Sequence, residues 1–275
     1  MKTKKIGFIG GGNMASSLMN GLIASGYSAR HLWVSDINQE ALDLLAANLD
    51  INVATSNDDL VAKVDVVVFA VKPQVLKTVC RASAAAIRRH NPLVVSIAAG
   101  ITQHSLNHWL GSVVAIVRCM PNTPALVLTG ATALHANARV TPEQRDLAEN
   151  IMRSVGIALW VNDEAELDAV TAVSGSGPAY YFLLMEAMEK TALTMGLSLA
   201  TARLLIQQTA LGAAKIALEA SESPEQLRQR VTSPGGTTQR AIETFQQGGF
   251  TELVEKALLA ARERSIEMSK QSENS

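Results

Sequence analysis

The chain's 275 residues leave room for one large or two modest domains, and the patterning described below points to two. A formal net charge of -1, with basic residues scattered among acids, argues against a nucleic-acid or anionic-membrane surface and for a small-molecule partner. Two cysteines exclude a disulfide framework, and no apolar run reaches the ~18 residues of a membrane span. Met1-Lys2-Thr3-Lys4-Lys5 leads into a short glycine-broken strand rather than a secretory segment, so a reduced, cytoplasmic protein is expected.

Up to about residue 162, short apolar runs alternate with helical patterns. The expected strands are Ile6 to Ile9, Leu32 to Ser35, Val66 to Val71, Leu93 to Ile97 and Val113 to Val117. Their nearly continuous apolar character is that of strands buried on both faces. Between them, helices are expected over Asn13 to Ser25 with Asn13 as N-cap, over Gln39 to Ala47, and over Gln74 to Arg88 after Pro73. Thr129 to His135, a helix starting at Thr141-Pro142-Glu143, and Ile157 to Val161 extend the pattern. It predicts an α/β fold with a doubly wound parallel sheet.

From about Asp163 the strand signal disappears. Pro178 opens a helix to about Met195, Ser198 caps another to about Ala220, and Pro224, Thr237 and Thr251 begin three more. The division expected is therefore 1–162, a nucleotide-binding domain, and 163–275, all helix. Tyr180 to Met185 has no polar face, and Ala210 to Leu218 carries only Lys215 as a charge. A domain of this size cannot hide so much apolar surface alone, so self-association is expected. The polar tail Ser269 to Ser275 is expected to be disordered.

Two glycine-rich turns carry the chemistry. Gly10-Gly11-Gly12-Asn13-Met14-Ala15 forms G-x-G-x-x-A directly after a strand and before a helix, and Asp36 ends the second strand. A structural turn reads the same locally, but this context is that of a dinucleotide-binding, Rossmann-type domain. Gly10 makes the turn, Gly12 lets a pyrophosphate approach the backbone, and Ala15 lets the helix pack on the strand. Ala70-Val71-Lys72-Pro73 and Ser96-Ile97-Ala98-Ala99-Gly100 fall just past two further strands, at the sheet edge where ligands of open α/β folds bind. Lys72 reads either as a cofactor contact or as a solvated loop lysine, and its position favours the first.

The second turn, Val231-Thr232-Ser233-Pro234-Gly235-Gly236-Thr237-Thr238, opens a helix with hydroxyls and unhindered amides, a suitable holder for a small acidic substrate. Arg118-Cys119-Met120-Pro121-Asn122-Thr123-Pro124 forms a stiff loop that places an amide and a hydroxyl. Val173-Ser174-Gly175-Ser176-Gly177-Pro178 is a further glycine-rich helix start, serving packing or ligand contact. Cys119 has no local His or Asp to activate it and reads as an apolar filler. His104 and His108 have metal-pair spacing but no third ligand cluster, so no metal is expected. With no triad or catalytic carboxylate pair in sight, a cofactor carries the chemistry.

With these segments in this order, the chain resembles the pyrroline-5-carboxylate reductases over nearly its whole length, most specifically at Ser233-Pro234-Gly235-Gly236-Thr237-Thr238. The resemblance implies NADPH or NADH as hydride donor, proline as product in the last step of its biosynthesis, and a dimer or ring of dimers. It makes Ser233, Gly235, Gly236, Thr237 and Thr238 substrate contacts, with Thr238 catalytic beside the ring nitrogen, where its hydroxyl positions the iminium or relays a proton. The cofactor contacts it implies begin with Ile9, Gly10, Gly11, Gly12, Asn13 and Met14. Asp36, Asn57, Ala70, Val71, Lys72 and Pro73 follow, then Ser96, Ile97, Ala98 and Asn122. A β-hydroxyacid dehydrogenase needs a lysine early in the helix from Pro178, and none stands before Lys190. A sensor that binds the cofactor without turnover is the non-enzymatic alternative.

Overall fold

The computed structural model describes residues 3–273. The chain runs β1 (Ile6–Ile9), α1 (Asn13–Ala24), β2 (Leu32–Ser35), α2 (Gln39–Leu49), β3 (Asn52–Val53), α3 (Asn57–Val61), β4 (Val66–Phe69), α4 (Pro73–His90), β5 (Leu93–Ser96), α5 (Gln103–Leu110) and β6 (Ile116–Met120). It continues through β7 (Gly130–Ala136), α6 (Pro142–Arg153), β8 (Gly156–Trp160) and α7 (Glu166–Val170) to a π-helical turn at Thr171–Gly175. The helices α8 (Gly177–Thr194), α9 (Leu199–Glu219), α10 (Pro224–Arg230), α11 (Thr237–Gln247) and α12 (Phe250–Glu273) complete it.

By its contacts the chain divides into two compact units, 1–176 with 260–275, and 177–259. The expected division after residue 162 therefore differs from the observed one, because α7 and the π-helical turn pack in the first unit, as does the end of α12.

The first unit holds an eight-stranded sheet in the order β3-β2-β1-β4-β5-β6-β7-β8. β1, β4 and β5 are buried along their whole length, as two-sided apolar strands must be. Helices cover both faces: Leu18, Met19 and Leu22 of α1 join one core with Phe8 and Val68, while Leu76 and Ile87 of α4 join another with Val67 and Val94. The sheet is not parallel throughout, as expected from sequence, because β7 runs antiparallel to β6. Connection 121–129 is too short for a helical crossover, so the chain can only turn back. β8 then pairs parallel to β7 after the α6 crossover. β6 begins at Ile116 rather than Val113, which is 58% exposed.

Two local expectations are corrected. The N-cap of α1 is Gly12, in extended backbone, and Asn13 is the first helical residue. The tail is helical to Glu273, with Ser269 and Ser272 buried, so its serines pack rather than solvate. Asn274 and Ser275 lie outside the described residues.

In the second unit Ser198 caps α9 by accepting from the Thr201 amide, and Ser223 with Gln226 forms a reciprocal capping box at α10. These caps fix where the helices start. They leave the helix surfaces bare: Phe182, Leu183, Leu204 and Leu218 are all more than 60% exposed.

Candidate active site

The strand order reverses between β1 and β4, and the crevice at such a reversal is where open α/β sheets hold ligands. The glycine turn lies at that point. Gly10 has φ +103°, and a side chain there would lie 2.7 Å from the Ala70 carbonyl oxygen, so the turns after β1 and β4 touch and only glycine fits. The Gly10 amide donates to the Ser35 carbonyl (2.8 Å), and Ala70 donates to the Ile9 carbonyl (2.9 Å).

Gly12 is exposed and has open space where a side chain would be. It contributes no capping side chain, so amides in the first turn of α1 remain available to an anion. This is the shape a dinucleotide pyrophosphate needs, and the residues present fit that group. Asn13 also lines a cavity of about 380 Å³ with Ser16, Asn20, Ala125 and Leu128.

Asp36 stands at the end of β2 with both carboxylate oxygens engaged. Oδ2 accepts from the Gly11 amide at 2.6 Å and Oδ1 from the Asn38 amide at 2.9 Å. Asn57 is tied in nearby, its Oδ1 accepting from the Ser35 hydroxyl at 2.8 Å. Lys72 is the N-cap of α4, exposed, and Pro73 follows at the first helical position. Ser96 is buried, Ile97 donates from its amide to the Phe69 carbonyl (3.3 Å), and Ala98 donates to Ser96 Oγ (3.4 Å). The structure thus brings the segments around Ile9, Asp36, Ala70 and Ser96 to one edge of the sheet.

Asn122 does something the sequence did not reveal. Its Nδ2 donates to the Ser174 carbonyl (3.1 Å) and its Oδ1 accepts from the Ala131 amide (2.9 Å), so its side chain knits β7 to the π-helical turn. Beside it, Arg118 is buried in an ion pair with Glu164 at 2.6 Å, and Glu164 also accepts from the Gln103 amide at 2.7 Å. Burial pushes the Cys119 thiol far above its ordinary range, against the opposing pull of Arg118, which leaves it protonated and inert. His104 and His108 lie on exposed positions of α5, and among the described residues no cluster of three potential ligands could hold a metal ion.

In the second unit, α11 begins at Thr237 with Gly236 as its N-cap and no side-chain cap. Gly235 has φ +72°, a conformation suited to glycine. Its amide is taken by Gln239 Oε1 at 2.6 Å, and the Gly236 amide by the Ser233 carbonyl at 3.0 Å. The first intrahelical bond runs from Arg240 to Gly236. Among the described residues the amides of Thr237, Thr238 and Gln239 therefore have no acceptor. They are open to an acceptor from outside the turn, while the amides of Gly235 and Gly236 are spent within it. Gln239 was not anticipated, although a Gln three residues after an N-cap is a recognised capping signal.

Lys190 pairs with Glu186 at 2.5 Å on the exposed side of α8. The hydrogen bond to Glu186, with its charge, holds the ammonium above its ordinary value, so it remains charged and is no proton acceptor.

Residues 164–268 match the family described as "Pyrroline-5-carboxylate reductase dimerisation", and residues 5–100 match "NADP oxidoreductase coenzyme F420-dependent". A pyrroline-5-carboxylate reductase of Pseudomonas aeruginosa is 53% identical over 98% of this chain and 99% of its own. The chain belongs to the pyrroline-5-carboxylate reductase family. A reductase structure from Coxiella burnetii superposes with a TM-score of 0.92 at 46% identity, covering 97% of this chain and 99% of that one. The Plasmodium falciparum enzyme, whose structure has NADP bound, gives 0.86 at 30% identity, with 98% and 99% coverage. These similarities cover both units, so the two turns belong to one reductase framework.

Proposed function

We propose that the protein reduces pyrroline-5-carboxylate to proline with NAD(P)H, in the cytoplasm, as the last step of proline biosynthesis. One observation carries the reading: the family's most specific turn ends in three unshared amides at the start of α11, in a chain whose sheet carries an open dinucleotide turn.

The amides of Thr237, Thr238 and Gln239 receive the substrate carboxylate. The helix terminus contributes roughly 0.3 to 2 kcal/mol beyond the charge-assisted hydrogen bonds. The Thr238 hydroxyl, which has no hydrogen bond among the described residues, lies beside the ring nitrogen and positions the iminium or relays its proton. Protonation of that nitrogen makes C5 electrophilic. Bound NAD(P)H supplies the hydride to that carbon. Gly10 and Gly11, whose amides are spent on the Ser35 carbonyl and Asp36, would shape the turn so that Gly12 and the first-turn amides of α1 could hold the pyrophosphate, and the segments at Asn57, Ala70 to Pro73 and Ser96 to Ala98 would flank it.

Asp36 selects the cofactor. A carboxylate fixed at the end of β2 accepts from adenosine ribose hydroxyls and repels a 2'-phosphate, and Ile37-Asn38-Gln39 provides no cation to offset it. NADH is therefore used as well as NADPH or better. The exposed apolar helices of the second unit meet those of a second copy, giving a dimer or a ring of dimers.

The test is NADH or NADPH absorbance followed with and without pyrroline-5-carboxylate. Substrate-dependent loss of absorbance is expected. Cofactor binding by folded protein without such loss would leave a sensor and overturn the assignment.

A further inference from the structure

The end of α12 is buried where its composition favours exposure. Ser265, Ser269 and Ser272 are each at most 9% exposed, and with Met268 they fall three or four residues apart on one helix face. Ser265 donates to Asp168 Oδ1 at 2.6 Å. The Ser272 and Ser105 hydroxyls share a hydrogen bond of 3.0 Å, and Ser105 is joined to Thr102, the N-cap of α5.

Met268 meets the chain two residues beyond Ala98. Gly100 has φ +70°, and a side chain there would lie 2.8 Å from Met268 Cβ. Glycine is required twice, by its backbone conformation and by the closeness of α12. The loop from Ser96 to Thr102 is thus anchored at its start by β4 and β5 and at its end by α12. Ile97 and Ala99, between these anchors, are only half-buried.

We propose that the last turns of α12, through Met268 and Ser272, are a positioning element that holds the Ser96 to Gly100 loop in the shape that receives the nicotinamide cofactor. This rests on the proposed contact of Ser96, Ile97 and Ala98 with that cofactor. The residues act through the loop, so they affect cofactor affinity rather than the chemical step.

The experiment uses the full chain with Met268→Ala and Ser272→Ala, together and singly, and NADH as the probe. The double variant is expected to raise the NADH Kd and KM about 5-fold or more, with kcat and the KM for pyrroline-5-carboxylate changed less than about 2-fold. Met268→Leu, which keeps the bulk, restores most of the affinity. Hydrogen exchange of amides 97–105 in the variant without cofactor speeds up. If the double variant does not fold, Ser272→Ala carries the same readout. A lowered Tm with unchanged NADH affinity would reduce α12 to a structural role and overturn the proposal. Ile97→Ala separates the two readings: raised Kd there with none in the α12 variants sinks the positioning role alone, and no change in either removes the loop from the cofactor site.

Discussion

The first unit closes its own core and the second does not. In the sheet unit, crossover helices cover both faces, and side chains such as Phe8, Leu18, Phe69 and Leu76 are fully buried. In the helical unit, Gly177, Ala192 and Ala202 are the buried residues of α8 and α9, while Tyr181, Phe182 and Leu183 are exposed by 64 to 67%. The physical difference lies in the patterning. A two-sided strand is satisfied by two layers of its own chain, whereas a helix apolar all round needs neighbours on every side. One unit is thus closed by its own chain, and the other, which matches a dimerisation family, leaves its apolar surface for a second copy.

The sharpest way to break that contrast is to put charge on the bare helices. Phe182→Glu with Leu204→Glu is expected to abolish assembly and with it turnover, because each buried large apolar side chain contributes ~1.5 to 3 kcal/mol. NADH binding by the sheet unit survives. Light scattering decides the matter: wild type gives a multiple of the 29.2 kDa chain mass, and a stable wild-type monomer at micromolar concentration would contradict the interface.

Thr238→Val tests the helical unit as a chemical partner rather than a surface. The change keeps the side-chain shape and the α11 amides but removes the hydroxyl. kcat/KM is expected to fall ~10-fold or more, which corresponds to about 1.4 kcal/mol, while cofactor affinity stays put. Wild-type rates in the variant would remove Thr238 from the site.

The same contrast governs what could be read from the sequence. β1, β2, β4 and β5 were legible to within two residues because continuous apolar runs bounded by turns have few other meanings. The apolar run places the start of β6 three residues early, because Val113 and Val114 extend it although Val113 is exposed and Val114 packs in the core without joining the strand. The two-residue β3 and the polar-studded α3 and α5 carry too little periodicity to stand out. The reversal of β7 depends on the length of a connection rather than on any strand residue. In each unit the glycine turn is plain in the sequence, because glycine at positive φ leaves a mark there. Which amides are free was hidden, since Gln239 takes the Gly235 donor through a side chain that reads as ordinary helix. The α12 tail misleads for a related reason: serines look solvated until Ser105 and Asp168 supply their partners.

The smallest expected effect concerns the sheet unit alone, and asks whether its closed architecture also chooses the cofactor. Asp36 is held by the Gly11 and Asn38 amides, so its charge is fixed beside the turn rather than free to swing away from a 2'-phosphate. A unit-charge repulsion at ~4 Å is about 1 kcal/mol in water and about 4 at an effective dielectric near 20. Asp36 is only half-buried, which puts the penalty toward the lower figure, a factor of several. Asp36→Ser removes the charge and leaves a hydroxyl near the ribose, so the ratio of kcat/KM for NADPH to that for NADH should rise by about that factor. The same substitution also frees the Gly11 amide, so some loss with both cofactors is expected, and only the ratio isolates the charge. Measuring kcat/KM for both cofactors in both proteins gives the answer. A strong wild-type preference for NADPH, unchanged in Asp36→Ser, would show that the carboxylate shapes the glycine turn without reading the ribose.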